Sequence, residues 1–311
     1  MYSLHFYGQM IADAARMEAY VAALRQTVKT DSVVMDLGCG AGVFAVLACK
    51  FGARRVYAVE PENVIGLARE IAAANGCSDR IEFFDKLSTE ITLPEPADII
   101  ISDLRGVLPW FEQHIPSLID ARTRLLEKRG ILIPRRDTLW AALVEAPVQY
   151  AELVSPWRDN KFGLDLSPGT RLITNNWRKT HITPEQFLVE PVCWTTIDYG
   201  KVESPDVHAG VSWQAARNGT AHGVAVWFDS ELVEGIRISN HPVAPKMIYG
   251  VGLFPFSKPV EVLEGERIEL RLAADLVQDG YVWRWDTDFP TVSFKQSTFY
   301  GVPLSAAQLR K

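Results

Sequence analysis

A glycine-rich turn that lies between two acidic positions has the clearest chemistry in this sequence. Residues 33–37 read Val-Val-Met-Asp-Leu, an apolar strand that runs directly into Gly38, Gly40 and Gly42. Such glycines let the backbone approach a ligand closely and turn into a following helix. A second apolar strand ends at Glu60, whose carboxylate can accept hydrogen bonds from both hydroxyls of a ribose. Together these residues predict a site for an adenosine-containing cofactor.

The spacing of the glycines indicates which cofactor is bound. Here they alternate as GxGxG, whereas the dinucleotide fingerprint GxGxxG seats a pyrophosphate at a helix N-terminus. Asp36, just before the first glycine, would repel a pyrophosphate but could hydrogen-bond the amino group of a methionine tail. The pattern therefore favours S-adenosylmethionine and a class I methyltransferase. A nucleotide-binding α/β domain of another kind, such as that of a dehydrogenase, is the alternative.

Composition excludes several other classes of protein. The 311-residue chain is long enough for two domains, and its 48% hydrophobic and 23% charged residues are typical of a globular protein. A net charge of −6 argues against a nucleic-acid-binding surface, which is normally basic. The four cysteines show no metal-ligand spacing, and no run of eighteen apolar residues is present. The first residues lack a basic stretch followed by an apolar one, so we expect no signal peptide. We therefore expect a cytoplasmic protein with no nucleic-acid, membrane or metal partner.

Two kinds of element pattern follow one another along the chain. After a predicted helix at 10–24, strands alternate with helices, which predicts a parallel sheet with crossover helices. The predicted strands are 33–37, 55–59, 81–84, 97–102 and 130–134, and the predicted helices are 42–51, 63–75 and 111–128. Beyond about residue 138, short strands separated by turn residues predict an antiparallel sandwich or barrel. We thus expect an α/β domain at 25–138 and a β-barrel domain at 139–311.

Three further segments resemble a known family in their order and spacing. Residues 9–20 look like an ML-x-D-x-x-R-x-x-x-Y helix, and the strand that ends at Asp103, with Glu112 nine positions later, looks like a double-glutamate loop. Residues 150–185 are similar to a dimerisation arm. With the glycine-rich turn, these segments resemble the protein arginine methyltransferase family over nearly the whole chain. The resemblance implies that residues 1–24 form a lid over the cofactor.

The resemblance also implies a catalytic site and an assembly. Asp103 and Glu112 would bind a guanidinium through charge-assisted hydrogen bonds and hold one nitrogen in line with the methyl group. The expected cofactor contacts are Tyr7, Met10, Arg16, Asp36, Gly38, Gly40, Glu60, Ser88 and Thr89, with Arg16 pairing with the cofactor carboxylate. We expect a homodimer, because the arm exposes Trp157, Phe162 and Trp177 on a segment without clear periodicity.

The sequence also departs from the family at the acceptor side. The family has glutamate where this chain has Asp103, which is shorter by one methylene. Its Thr-His-Trp loop, whose histidine pairs with the acid matching Asp13, is here Met-Ile-Tyr at 247–249. Tyr7 replaces a histidine near the lid helix. His241 could substitute for the missing histidine, although a histidine in a turn before proline is more often structural.

Arg105 is the departure with the largest consequence for the substrate. It lies in the loop that would bind a cation, and a like charge at ~4 Å costs about 4 kcal/mol at an effective dielectric near 20. Arg105 therefore points away from the pocket, or it pairs with Asp103 or Glu112 until substrate displaces it, or the substrate is not a cation. In the last case Arg105 would be a catalytic residue that helps to hold a less basic nucleophile. A solvated loop residue without such a role is the alternative.

Three functions follow from these alternatives. The first is methylation of arginine in a protein or peptide. The second is methylation of another nucleophile, an oxygen or amine on a small molecule or peptide. The third is a non-catalytic scaffold, against which the retained acids and Arg16 argue.

Overall fold

The computed structural model describes residues 3–159 and 161–301, which begin with two helices, α1 (Leu4–Ala12) and α2 (Ala14–Thr27). Asp13 separates them, and its carboxylate accepts a hydrogen bond from the backbone nitrogen of Arg16 at 3.1 Å. Aspartate at such a cap favours a non-helical backbone. The single helix predicted at 10–24 is for this reason two helices.

The first half of the chain forms a five-stranded parallel sheet in the order β3-β2-β1-β4-β5. Its strands are β1 (Val33–Leu37), β2 (Arg55–Val59), β3 (Ile81–Phe84), β4 (Ala97–Ser102) and β5 (Leu126–Ile133). The helices that connect them are α3 (Val43–Lys50), α4 (Ile65–Ala74) and α5 (His114–Arg124). The strand order reverses between β1 and β4, and ligands of open α/β sheets bind in the crevice at such a switch point.

The predicted pattern of this half is largely confirmed. The first four strands begin and end where the sequence predicted. The helix predicted at 111–128 is wrong at its end, because the chain already runs as β5 from Leu126. Charged residues at the start of β5 stay exposed there, so the apolar pattern marks only the second half of the strand.

The second half forms two antiparallel sheets, as predicted for a sandwich or barrel. The six-stranded sheet contains β6 (Arg136–Val144), β7 (Arg178–Thr180), β8 (Val192–Asp198), β10 (Gly219–Val233), β11 (Ile236–Ser239) and β12 (Val251–Val262). The four-stranded sheet contains β9 (Val207–Gln214), β13 (Arg267–Val277), β14 (Gly280–Asp288) and β15 (Ser293–Ser297). Aromatic rings pack in their shared core, where Phe254 lies 5.2 Å from Trp283 and 5.4 Å from Trp285.

The segment after β6 is more regular than its sequence suggested. It contains α6 (Pro147–Arg158) and α7 (Ser167–Ile173), which pack together where the indole of Trp157 covers Gly169. Phe162 is 82% exposed, as expected. The prediction for Trp177 is wrong, because its ring stacks on Phe254 at 5.9 Å inside the barrel. In the described part of the chain, no helix has both the length and the apolar surface to cross a membrane.

Candidate active site

The glycine-rich turn after β1 is shaped so that side chains would obstruct it. Gly40 and Gly42 have φ values of 51° and 77°, in the left-handed region that other residues rarely adopt. A Cβ at Gly40 would lie 2.6 Å from the ring of Tyr7, and one at Gly42 would lie 2.8 Å from the Cβ of Ala68 on α4. The turn therefore packs closely under Tyr7 on one side and against α4 on the other.

Glu60 lies where the sequence placed it, at the end of β2 beside this turn. Its Oε2 accepts a hydrogen bond from the backbone nitrogen of Gly40, and its Oε1 accepts one from that of Glu62, both at 3.0 Å. Burial raises the pKa of the Glu60 carboxyl above its usual value, which the two backbone donors oppose. Each oxygen keeps a lone pair for a further donor, as binding of a ribose would require.

Asp36 has a different environment from the one expected. It is 1% exposed, and its Oδ2 accepts a hydrogen bond from the backbone nitrogen of Ala45 in α3 at 2.8 Å. Burial raises the pKa of Asp36 to about 7. The carboxyl thus joins the end of β1 to the first turn of α3 and does not line the cavity beside the glycines. A direct contact with a cofactor amino group stays a prediction.

That cavity brings together half of the predicted site residues. The predicted residues that line it are Tyr7, Met10, Arg16, Gly38, Gly40 and Asp103. Phe44 from α3 also lines it, and its ring lies 5.1 Å below the guanidinium of Arg16. Ser88 and Thr89 lie elsewhere, Ser88 buried and Thr89 exposed, in a short 3-10 helix. Their contact with a cofactor stays a prediction.

Asp103, directly after β4, is the best-connected group in the cavity. Its side chain is 4% exposed, and its Oδ2 accepts hydrogen bonds from Nε and Nη2 of Arg16 at 2.7 and 2.6 Å. The hydroxyl of Tyr20 lies 3.0 Å from Oδ1, and that of Tyr249 lies 2.8 Å from Oδ1 and 2.7 Å from Oδ2. Burial raises the pKa of both tyrosines well above the usual value, so they are hydrogen-bond donors at neutral pH.

Neither tyrosine was predicted as a site residue. Tyr20 follows the apolar face of α2, and Tyr249 lies in the distant barrel segment between β11 and β12. The only signal for them was the match of Tyr20 to the end of the lid motif and of Tyr249 to the third position of the missing Thr-His-Trp loop.

Arg105 is buried behind Asp103 and not exposed in its loop. Its Nη1 pairs with Oδ1 of Asp137 on β6 at 2.9 Å, while its Nε lies 3.7 Å from Oδ1 of Asp103. The guanidinium also lies 5.0 Å from the ring of Phe228, and the hydroxyl of Tyr199 donates to the other oxygen of Asp137 at 2.6 Å. The expectation of a catalytic Arg105 is therefore corrected. It fixes the loop to the barrel and does not line the cavity beside the glycines.

Glu112 does not join Asp103 in this structure. Its side chain is exposed, and no hydrogen bond or ion pair links it to any of the residues that the structure describes. Its φ is 44°, which is uncommon for a residue other than glycine and is typical of strained functional loops. The predicted acid pair is thus not formed here, and a catalytic role of Glu112 stays a prediction.

The place of the missing histidine is taken by the backbone. The nitrogen of Ile248 donates to Oδ2 of Asp13 at 2.7 Å, so this residue lies beside the acid that the resemblance identified. His241 does not substitute for the histidine. Its ring lies edge-on to Trp227 at 5.2 Å, and its Nδ1 accepts a hydrogen bond from the nitrogen of Val243. His241 is structural, as expected for a histidine in a turn.

Two family models match adjoining parts of the chain. The model described as ribosomal protein L11 methyltransferase matches residues 18–153, which include the parallel sheet. The model described as arginine methyltransferase oligomerization subdomain matches residues 135–287, which include most of the barrel and both arm helices.

Individual relatives extend over most of the chain. The probable protein arginine N-methyltransferase 6 of Arabidopsis thaliana is 32% identical over 233 residues, which are 72% of this chain and 53% of the relative. The protein arginine N-methyltransferase 2 of Dictyostelium discoideum is 29% identical, with 46% of its length covered. The chain thus spans about half the length of these two relatives. The arginine N(omega)-methyltransferase of Streptomyces achromogenes is 28% identical, with 85% of this chain and 74% of the relative covered.

Solved structures share the whole architecture. The chain superposes on the Trypanosoma brucei PRMT1 enzyme–prozyme heterotetrameric complex with AdoHcy with a TM-score of 0.86 at 24% identity, covering 94% of this chain and 96% of that one. The protein arginine methyltransferase 10 of Arabidopsis thaliana gives a TM-score of 0.81 at 21% identity, covering 95% and 97%. These structures establish the fold of a Rossmann-like domain followed by a β-barrel.

Proposed function

The chain belongs to the protein arginine methyltransferase family, and we propose that it transfers a methyl group from S-adenosylmethionine to a guanidinium nitrogen of arginine. One observation carries this proposal. The carboxylate of Asp103 already holds a guanidinium, that of Arg16, through two nitrogens at 2.7 and 2.6 Å. A site that binds one guanidinium in this way beside a cofactor loop is suited to bind an acceptor arginine.

The residues beside the glycine turn fit the cofactor. Glu60 would accept hydrogen bonds from the ribose, and Arg16 would pair with the carboxylate of the methionine part. Tyr7 packs directly on Gly40, where a side chain would not fit, and both residues line the cavity that would hold the ligand. When bound, S-adenosylmethionine supplies an electrophilic methyl group on a sulfonium.

Arg16 and the acceptor cannot use Asp103 in the same way at the same time. Nε and Nη2 of Arg16 both donate to Oδ2 of Asp103. An acceptor guanidinium can bind this oxygen only after Arg16 has left it. We propose that pairing of Arg16 with the cofactor carboxylate releases it. A guanidinium is protonated at neutral pH and must lose a proton as it attacks. Asp103 is the carboxylate placed to orient the acceptor and accept that proton. Ile248 cannot assist as a histidine would, so we expect slow turnover.

The acceptor arginine belongs to a protein or peptide in our first proposal. Free arginine is the second candidate. The Streptomyces relative, of which this chain covers the largest share among the three relatives named above, is an arginine N(omega)-methyltransferase.

We also propose a homodimer built through the arm formed by α6, α7 and the segment between them. Trp157 is 38% exposed, Phe162 82% and Leu164 59%, so the arm presents apolar surface. Exposed apolar side chains close together in sequence are typical of interaction sites. The oligomerization model matches the arm, which supports a second copy of the chain as the occupant.

Tandem mass spectrometry tests the proposed reaction. The protein is incubated with S-adenosylmethionine and an arginine peptide, the same peptide with lysine in place of arginine, or free arginine. We expect methyl groups on guanidinium nitrogens of the arginine peptide. Transfer to free arginine alone would select the second candidate. Transfer only to the lysine peptide, or to an oxygen, would contradict both.

A further inference from the structure

We infer that Tyr249 is a positioning residue that fixes the carboxylate of Asp103 and so sets where the acceptor guanidinium docks. The inference rests on the proposed function and adds a barrel residue to the same site. Tyr249 lies just before β12, yet its hydroxyl is within 2.8 Å of both oxygens of an acid that follows β4 of the parallel sheet.

The tyrosine ring is held firmly enough to define this position. The residue is 6% exposed, and its ring packs edge-on against that of Phe228 at 5.3 Å. Phe228 also contacts the guanidinium of Arg105, which pairs with Asp137. The ring of Tyr249 therefore packs on Phe228, which in turn contacts the buried Arg105 side chain that holds the loop of Asp103 against the barrel.

The partners of Asp103 divide into permanent and exchangeable ones. Tyr20 and Tyr249 are neutral donors from fixed rings, whereas Arg16 is a charged side chain that a cofactor carboxylate can attract. After Arg16 exchanges, Tyr20 still holds Oδ1 and Tyr249 stays within 2.8 Å of both oxygens, so the carboxylate keeps its orientation toward the acceptor.

The length of the acid side chain at position 103 also fits the position of the Tyr249 hydroxyl. Aspartate is one methylene shorter than glutamate, and the tyrosine hydroxyl lies directly against its carboxylate. A glutamate at position 103 would meet that hydroxyl, because the shorter carboxylate already lies 2.7 Å from it.

A double-mutant cycle tests this pairing. The value of kcat/KM for an arginine peptide is measured for the wild-type protein, Asp103→Glu, Tyr249→Phe and the double variant. We expect each single substitution to lower it by about ten- to a hundredfold, as for loss of a hydrogen bond to a charged group. If the two residues acted independently, the fold-loss in kcat/KM of the double variant would equal the product of the two single fold-losses. We expect a clearly smaller fold-loss, because removing the hydroxyl makes room for the longer acid.

Controls separate positioning from misfolding. Tyr281→Phe removes a hydroxyl that donates to the carbonyl of Pro205 and does not line the cavity around Asp103, so activity should stay at the wild-type value. Tyr249→Phe should still bind S-adenosylhomocysteine in calorimetry, which shows a folded cofactor site, while the acceptor KM and kcat change. If the wild-type protein methylates arginine but the fold-loss of the double variant equals the product of the two single fold-losses, this inference is overturned and the proposed function stands. A wild-type protein that methylates no arginine would overturn the proposed function and the inference together.

Discussion

Three acids around the cofactor loop have different electrostatic environments. Asp36 has one backbone donor and is fully buried, which raises its pKa to about 7. Glu60 has two backbone donors and a smaller shift in the same direction. Asp103 faces the guanidinium of Arg16 and two phenol groups. Only Asp103 is paired with a cation at hydrogen-bonding distance, which fits a group that must work as a carboxylate.

Asp36 should make the stability of the protein depend on pH. Its pKa is about 7 in the folded protein against about 4 when unfolded, so the folded state binds the proton more tightly. The stabilisation is fully present below pH 4 and is lost as the pH rises through 7. Urea unfolding measures the free energy of unfolding at pH 5 and at pH 8. From pH 5 to pH 8 this free energy should fall more for the wild-type protein than for Asp36→Asn. Equal falls would mean that Asp36 is ionised throughout this range.

Glu60 should determine affinity for the cofactor. Losing a hydrogen bond to a charged group costs about 1.5–3 kcal/mol, so Glu60→Ala should weaken binding of S-adenosylhomocysteine about ten- to a hundredfold in calorimetry. Glu62→Ala is the matched control, because only its backbone nitrogen contacts Glu60. An unchanged affinity in Glu60→Ala would show that the end of β2 does not bind the ribose.

At the scale of elements, the loop after β4 is fixed to β6 by a buried ion pair. Arg105→Met would leave Asp137 buried without its cation, which costs about 3–5 kcal/mol of unfolding free energy. Adding Asp137→Leu should recover most of that loss, because a well-packed apolar pair can replace a buried ion pair. Denaturant titrations of the three proteins measure this. If Arg105→Met has the same free energy of unfolding as the wild type, the ion pair does not contribute to stability.

The same elements show what sequence could predict. The alternation of strands and helices and the glycine turn are local patterns, so the parallel sheet and the cofactor loop were predicted to within a few residues. The pairing of Arg105 with Asp137 was not predicted, because Arg105 lies in the loop after β4 and Asp137 lies on β6 of the barrel. No local pattern encodes the distance between them. The break at Asp13 was missed because the apolar spacing continues through it.

At the scale of the whole molecule, the parallel sheet and the barrel share one site, because Asp103 follows β4 and Tyr249 precedes β12. The arm extends from the barrel as a separate pair of helices. Its role in assembly and the cytoplasmic location both stay predictions.

The arm makes assembly testable. Phe162→Glu places a charge on its most exposed large apolar side chain, so light scattering at micromolar concentration should give a monomer. Val277→Glu changes an exposed apolar residue of the barrel and should leave the dimer intact. A wild-type monomer, or a dimer that survives deletion of the arm, would contradict the proposed assembly.

The most direct test of the central claim is transfer of a labelled methyl group to an arginine peptide by the wild-type protein and by Asp103→Asn. The substitution keeps the size of the side chain and removes the charge that orients the guanidinium and accepts its proton. We predict label on guanidinium nitrogen with the wild-type protein and a rate about 10²–10⁴-fold lower with the variant. Equal rates, or no label on arginine from the wild-type protein, would contradict the account.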